Sequence, residues 1–278
     1  MNGPSSSVGV RTICDNKWLS RELFAANGLA VARSGRFVRN DVSAALTFAR
    51  EKIGYPVVVK PNSASRGLGV STNITNDDAF RIAWQAALAA SRAPLILVER
   101  QVGGHDYRFF VSDGQVASVT RRRRASVTGN GRSTVLQLIH AKNTQRAANV
   151  YLASYPIPED TDRLEAFTRS NREMEHVPAD GEHVELRDVS NLSSGGDSID
   201  MTEQADPSFH AVAVTAIKAC PGMRYGGVDI IAEDITAPAR SLNHVVGEIE
   251  FSPAPLAHFP WSGTPRNMAG AIIDAYSR

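Results

Sequence analysis

The chain has 278 residues, 42% hydrophobic and 21% charged, which excludes a disordered chain and leaves room for one large domain or two modest lobes. Its formal net charge is +1, so no global field calls for nucleic acid or a membrane surface as partner. Two cysteines, Cys14 and Cys220, stand far apart and argue for a reducing, cytoplasmic setting, and no apolar run approaches a membrane span.

The start, MNGPSSSVG, lacks the charged and apolar regions of a signal peptide and reads as part of a loose tail over residues 1–13. Asp15 is placed to cap a helix to about Asn27, with Gly28 as its stop and Trp18, Leu19, Leu23 and Phe24 on one face. Lys17 lies in the first turn, where the helix dipole disfavours a cation; that hints at an anionic ligand, against the plainer reading of an exposed lysine. A short strand near Gly35–Val38 and a helix from Asp41 to about Lys52 lead into YPVVVKPNSASRGLGVS. There Val57-Val58-Val59 reads as a strand in a covered sheet, followed by Lys60 and a small-residue loop holding Ser65, Gly67 and Gly69. Glycine lets backbone N–H groups approach a ligand, and a fixed lysine beside them completes the parts of a phosphate cradle. The order is not that of a P-loop, because the lysine precedes the glycines. Asn76 or Asp77 caps the next helix, with Phe80, Ile82, Ala83, Ala86 and Ala87 expected inward, and Pro94 ends a first lobe over residues 14–97.

A second lobe is expected over 98–278. Leu95–Val98 reads as a buried strand with Glu99 at its end, Gly103-Gly104 turn the chain, and Asp106-Tyr107-Arg108 lead into another strand. Two carboxylates flanking backbone amides suit an adenine edge and a ribose diol, and an arginine suits phosphate; strand-end solvation is the plain alternative. Asp113-Gly114 makes a hairpin turn. Arg121–Arg124 invite a nucleic-acid reading, but alternation sends them to two faces with no interleaved aromatics, so no nucleic-acid partner is expected. A helix from about Ser133 to Lys142 precedes a polar insertion over 144–182, with one helix near Thr161–Glu173. Then come a strand at Val184–Arg187 and LRDVSNLSSGGDSIDMT, which combines Arg187, Asn191, a small-residue loop through Gly195-Gly196, and the acids Asp197 and Asp200. A helix from Pro207 to Ala219, strands carrying Asp229 and Glu248, Glu250 and Ser252, and a last amphipathic helix from Arg266 to Tyr276 close the chain. Asp229 and Glu250 lie inside apolar strands, where an unpaired carboxylate is costly, so each needs a cation or a strong donor. A pair on neighbouring strands suits magnesium beside a triphosphate; an ordinary buried salt bridge is the alternative for either acid.

Seven blocks in order, DNKWLSRELFAANGLAV, GYPVVVKPNSASRGLGV, ILVERQVGGHDYRFFVSDGQV, GNGRSTVLQLIHAKN, LRDVSNLSSGGDSIDMT, YGGVDIIAEDI and GEIEFSPAP, cover the chain from about Cys14 to the end. They resemble the ATP-grasp carboxylate–amine ligases, most of all the ATP-grasp regions of cyanophycin synthetase and of the fused bacterial glutathione synthetase. The resemblance implies an α+β fold, two lobes sandwiching ATP, with the family's leading domain largely missing and its place taken by a second subunit, a partner protein or solvent. It implies that a substrate carboxylate attacks the γ-phosphate of ATP and that an amine displaces phosphate from the acyl phosphate. Amino acids or small peptides are the implied substrates. Lys17, Lys60, Ser65 and Gly67 are then assigned to phosphates, and Glu99, Arg100, Val102 and Asp106 to adenosine. Arg108, Arg187 and Asn191 are assigned to the reacting groups, and Asp229, Glu250 and Ser252 to one or two Mg2+ ions. The chain departs from the family at Ser252, where an asparagine is usual, at Arg66 and Leu68 in the glycine loop, and near Tyr155-Pro156, where a lysine is expected. These departures motivate a second reading, a non-catalytic nucleotide-binding module or a partner-dependent ligase subunit.

Overall fold

The computed structural model describes residues 7–64, 67–91, 95–170 and 172–277. In chain order the elements are α1 Val8–Asp15, α2 Lys17–Ala26, β1 Ser34–Val38, α3 Val42–Thr47, β2 Val57–Pro61, β3 Ser71–Ile74, α4 Asp77–Ala90, β4 Leu95–Arg100, β5 His105–Ser112 and β6 Gln115–Arg123. There follow β7 Ser126–Thr128, α5 Val135–Ala147, α6 Glu165–Arg169, β8 His183–Glu185, β9 Asp197–Asp200, α7 Pro207–Lys218, β10 Tyr225–Ala232, β11 His244–Glu250 and α8 Met268–Ser277. They form two compact units, one of Met1–Val119, Thr202–Pro253 and Met268–Arg278, the other of Thr120–Met201 and Ala254–Asn267.

In the first unit a four-stranded antiparallel sheet runs in the order β1-β4-β2-β3. Alternation in β2 buries Val57 and Val59 against Ala83, Trp84 and Ala87 of α4 and turns Val58 and Lys60 to the other face. Trp84, not Ile82, completes the inward stripe of α4: Ile82 is 73% exposed and Ala86 is exposed as well. The strands are longer than their apolar runs. β2 continues through Lys60 and Pro61, and β4 through Glu99 and Arg100, because cross-strand backbone pairing does not stop where hydrophobicity does. Pro94 and Ser65 lie outside the described residues.

A second antiparallel set in this unit places β10 between β5 and β11, with α7 packed on it. The β5–β6 hairpin turns at Asp113 and Gly114, both with positive φ (48° and 76°), the pair of left-handed residues that matches the twist of the flanking strands. α1 occupies residues that read as tail, with Ser7 accepting from the Val10 amide at its start. Asp15 ends that helix, and Asn16 rather than Asp15 caps α2, accepting from the Leu19 amide at 3.0 Å.

In the second unit, the far half of β6 pairs with β9 and β7 pairs with β8. α5 opens on a capping box between Thr134 and Gln137 and runs to Ala147, past the expected end at Lys142. The helix expected over Thr161–Glu173 is shorter, a single 3-10 turn at Thr161–Arg163 followed by α6. Val127, Ile139, Phe167 and Val184 form its core.

Candidate functional site

The site is built on the faces of two sheets in the first unit. On β2 and β4, Lys60 and Glu99 are diagonal neighbours, since Val58 pairs with Glu99 and Lys60 with Leu97. Their ion pair is 2.8 Å long, and both side chains are largely buried. Burial works against the Lys60 charge, but Glu99 and Glu248 outweigh it and raise its pKa above the ordinary lysine value.

On the second sheet, Asp229 stands opposite Arg108 on one side and Glu248 on the other, while Glu250 stands opposite Gly227. Partners in an antiparallel register share a face, so these side chains point the same way. The ladder skips Gly247 beside Asp229, a bulge of the kind that re-aims neighbouring side chains. Arg108 is a bridge: Nη2 donates to Asp229 Oδ2 at 2.9 Å, Nε donates to Oδ1 of the same acid, and Nη1 donates to Glu250 Oε2 at 2.7 Å. Burial alone would disfavour the guanidinium charge; Asp229 first and Glu250 second hold its pKa above the usual arginine value. Gly227 makes room for this fork, because a Cβ there would sit 3.0 Å from Arg108 Cδ and 3.1 Å from Pro253 Cβ.

The two sheets are tied by Lys17. Its Nζ lies 3.0 Å from Glu248 Oε1. α2 holds it there through Asn62, two residues beyond Lys60. The Asn62 carbonyl accepts from the Lys17 amide at 3.2 Å, and its side chain accepts from the Trp18 amide at 2.9 Å and donates to Asn16 Oδ1 at 3.1 Å. Burial raises the pKa of Glu248, but Lys17 and Lys60 reverse this and hold it below the ordinary value.

The predicted residues thus fall into groups. Lys17, Lys60, Glu99, Arg108, Asp229 and Glu250 make three ion-paired groups, Lys17 with Glu248, Lys60 with Glu99, and Arg108 with Asp229 and Glu250. Glu248, a residue that the sequence reading left outside the site, relates them, since it stands opposite Asp229 and its charge acts on Lys60. The signal was available, since Glu248 and Glu250 are two apart on a strand and so share a face. Arg100, exposed on β4, and Val102 and Asp106, both half-buried, belong to the same unit. Ser252 is exposed. Ser65 is outside the described residues. Gly67 and Gly69 both have positive φ, and a Cβ on Gly69 would meet Ala90 Cβ at 2.6 Å, so packing on α4 explains Gly69 without a ligand.

Arg187 and Asn191 are half-buried in the second unit. The Asn191 carbonyl accepts from the amides of Ser194 and Gly196, which closes the small-residue loop on itself. Asp197 and Asp200 are structural there: Asp197 takes Lys142 at 2.5 Å and Arg146 at 3.0 Å, and Asp200 takes Arg266 at 2.6 Å. Near Tyr155-Pro156, Arg146 donates to the Tyr155 carbonyl through Nε and Nη2. Among the described residues no helix is long and apolar enough to cross a membrane.

Residues 16–108 match the family described as carbamoyl-phosphate synthase L chain, ATP binding domain. The chain is 34% identical over 279 residues to the cyanophycin synthetase of Nostoc sp. (strain PCC 7120), a match covering 99% of this chain and 30% of that protein. It is 31% identical to the glutathione biosynthesis bifunctional protein GshAB of Clostridium perfringens, over 94% of this chain and 34% of that one. Among solved structures it is similar to the bifunctional glutathione synthetase from Pasteurella multocida, with 28% identity, a TM-score of 0.66, and coverage of 98% of this chain and 37% of that one. The chain therefore spans about a third of the length of these relatives.

Proposed function

We infer that this chain, which belongs to the ATP-grasp family and has its fold, is the ATP-using region of a ligase that joins a carboxylate to an amine. An amino acid or small peptide supplies at least one of the two groups. One observation carries the reading: Lys17, Lys60 and Arg108 are each ion-paired to acids of one unit, and Glu248, which holds Lys17, also stands opposite Asp229 and acts on the charge of Lys60. Phosphoryl transfer asks little covalent chemistry of a protein; it asks for positioned positive charge. On this reading Lys17 and Lys60 exchange their carboxylates for phosphate oxygens, with the backbone at Gly67 donating beside them. Glu99, released by Lys60, becomes free to accept from the adenine amino group, with Arg100, Val102 and Asp106 about the rest of the nucleoside. Arg108 likewise exchanges its two acids for phosphate oxygens and brings its charge to the transferring phosphoryl group, which frees Asp229 and Glu250.

Asp229 and Glu250 suit a magnesium ion. They are hard oxygen donors that already converge on one cation, the Arg108 guanidinium. Among the described residues no cluster of three or more His, Cys, Asp or Glu side chains could hold a metal. That leaves the remaining positions to phosphate oxygens, water and the hydroxyl of Ser252, which is how magnesium is usually shared with a nucleotide. Bound there, the ion would offset negative charge on the triphosphate.

The reaction balances as follows. A substrate carboxylate oxygen bonds to the γ-phosphorus and ADP leaves. The amine nitrogen then bonds to the acyl carbon, phosphate leaves, and the nitrogen gives up a proton. The test is ADP and phosphate release with ATP and Mg2+ over a panel of amino acids and dipeptides, with product masses measured. Release that requires both a carboxylate and an amine, and a mass equal to their sum less water, is the expected result. Asp229→Asn is expected to lower turnover by about a hundredfold or more. A non-catalytic nucleotide-binding module is the second reading, favoured by the exposed hydroxyl of Ser252 where the family has an amide. ATP bound without ADP from any pair would support it.

A further inference from the structure

The second unit contains a cavity of about 470 Å³, within the usual range of small-molecule sites. Its wall has two characters. Leu138, Ile199 and the Trp261 indole supply apolar surface, and Arg123 and Lys142 supply charge. Asp197 is the one acid of the lining and is already shared by Lys142 and Arg146. Lys142 is immobilised from three sides: it donates to Asp197 at 2.5 Å and to the Ser126 carbonyl at 2.7 Å, and its Nζ lies 5.5 Å from the centre of the Trp261 ring. Arg123, directly opposite Asp197 in the β6–β9 ladder, makes no ion pair among the described residues. Burial lowers the Lys142 pKa, Asp197 opposes this, and Arg146 and Arg123 lower it further. With one acid shared between Lys142 and Arg146 and with Arg123 beside them, the wall carries more positive than negative charge.

We propose that this cavity binds a small carboxylate with an aromatic or branched aliphatic body, the carboxylate on Arg123 and the body between Trp261 and Leu138. A guanidinium fork matches a carboxylate bidentately, and the indole and aliphatic wall reward an apolar body, so neither half of the ligand should bind well alone. Such a ligand is either a substrate of the ligation or an effector that is not consumed.

The experiment is isothermal titration calorimetry on the full chain without nucleotide, so that its outcome does not depend on the ligase reading. N-acetyl-L-phenylalanine is expected to bind saturably, with N-acetyl-L-phenylalaninamide and acetate each weaker by about tenfold or more. Arg123→Gln is expected to weaken N-acetyl-L-phenylalanine by about tenfold, and Trp261→Leu to weaken it while leaving the preference for carboxylate over amide. Thermal melts of both variants establish that the unit is intact. No binding by the wild-type chain, or equal binding by the wild type and a folded Arg123→Gln, overturns the proposal. Where binding is found, L-phenylalanine in the phosphate-release assay separates the two sources. Consumption, with KM raised in Arg123→Gln, marks a substrate; a changed rate without consumption marks an effector.

Discussion

Asp197 and Asp229 look alike in the sequence: each is an aspartate beside a glycine-containing stretch and close to an apolar run. Their surroundings separate them. Asp197 is 3% exposed and is closed in by Lys142 and Arg146, with Arg146 itself 1% exposed. Asp229 shares Arg108 with Glu250, whose side chain keeps 44% of its surface in solvent, so the charge at that face stays open to a ligand. Asp197→Asn should therefore act on stability. Removing one partner of a buried charge cluster leaves cations uncompensated, at a cost of about 3–5 kcal/mol. The expected outcome is a lower denaturant midpoint with unchanged m; a change under about 1 kcal/mol would mean that solvent already screens the cluster. From sequence alone Asp229 and Glu250 could be seen to need a cation or a strong donor, but not which one, and Asp197 gave no such signal. Arg108 is 121 positions from Asp229, and only strand pairing brings them together.

At the scale of elements, the glycine loop, the hairpin at Asp113-Gly114 and the strands carrying Lys60, Asp229 and Glu250 were legible, because each has a local signature in glycine placement or apolar alternation. What escaped were features set by contact across the fold. β3 has no apolar run of its own and exists by pairing with β2. The start of α2 depends on Asn62, which follows Lys60-Pro61 and gave no signal as a cap for a helix 44 positions earlier. Asn62 is 2% exposed and engages the Lys17 and Trp18 amides together with the Asn16 side chain. It is thus a positioning residue for Lys17. Asn62→Ala should cost about 1–3 kcal/mol, since buried donors and acceptors lose their partner. On the proposed function it should also weaken ATP binding more than Asn62→Asp does, because aspartate still accepts from the Trp18 amide. Thermal melts with an ATP titration check both parts. Equal ATP affinity in wild type and Asn62→Ala would mean that α2 is held without it.

At the scale of the molecule, charge is balanced in a way that net charge conceals. The chain carries a formal +1, yet the first unit holds paired lysines and glutamates whose titration must couple to its folding. Glu248 has a pKa below the ordinary glutamate value in the fold, so its contribution is fully present above that value and is lost as pH falls through the folded one. Lys60 has a raised pKa, so its contribution is present below the ordinary lysine value and is lost as pH rises through the folded one. Lys142, whose pKa is lowered, acts oppositely: stability from that site increases as pH rises through its folded value. A plateau of stability is expected between the carboxylate and lysine ranges, with the basic edge blunted by Lys142. Because Glu248 keeps 35% of its side chain exposed, solvent screens the pair, and the effect is a change of slope rather than a collapse. Melting temperature against pH, measured for wild type and Glu248→Gln, isolates the acidic edge, since the variant has no carboxylate to protonate. The wild type should lose stability more steeply on acidification. Parallel curves would mean that Glu248 is no better paired in the folded chain than in the unfolded one, and the three ion-paired groups would lose the acid that relates them.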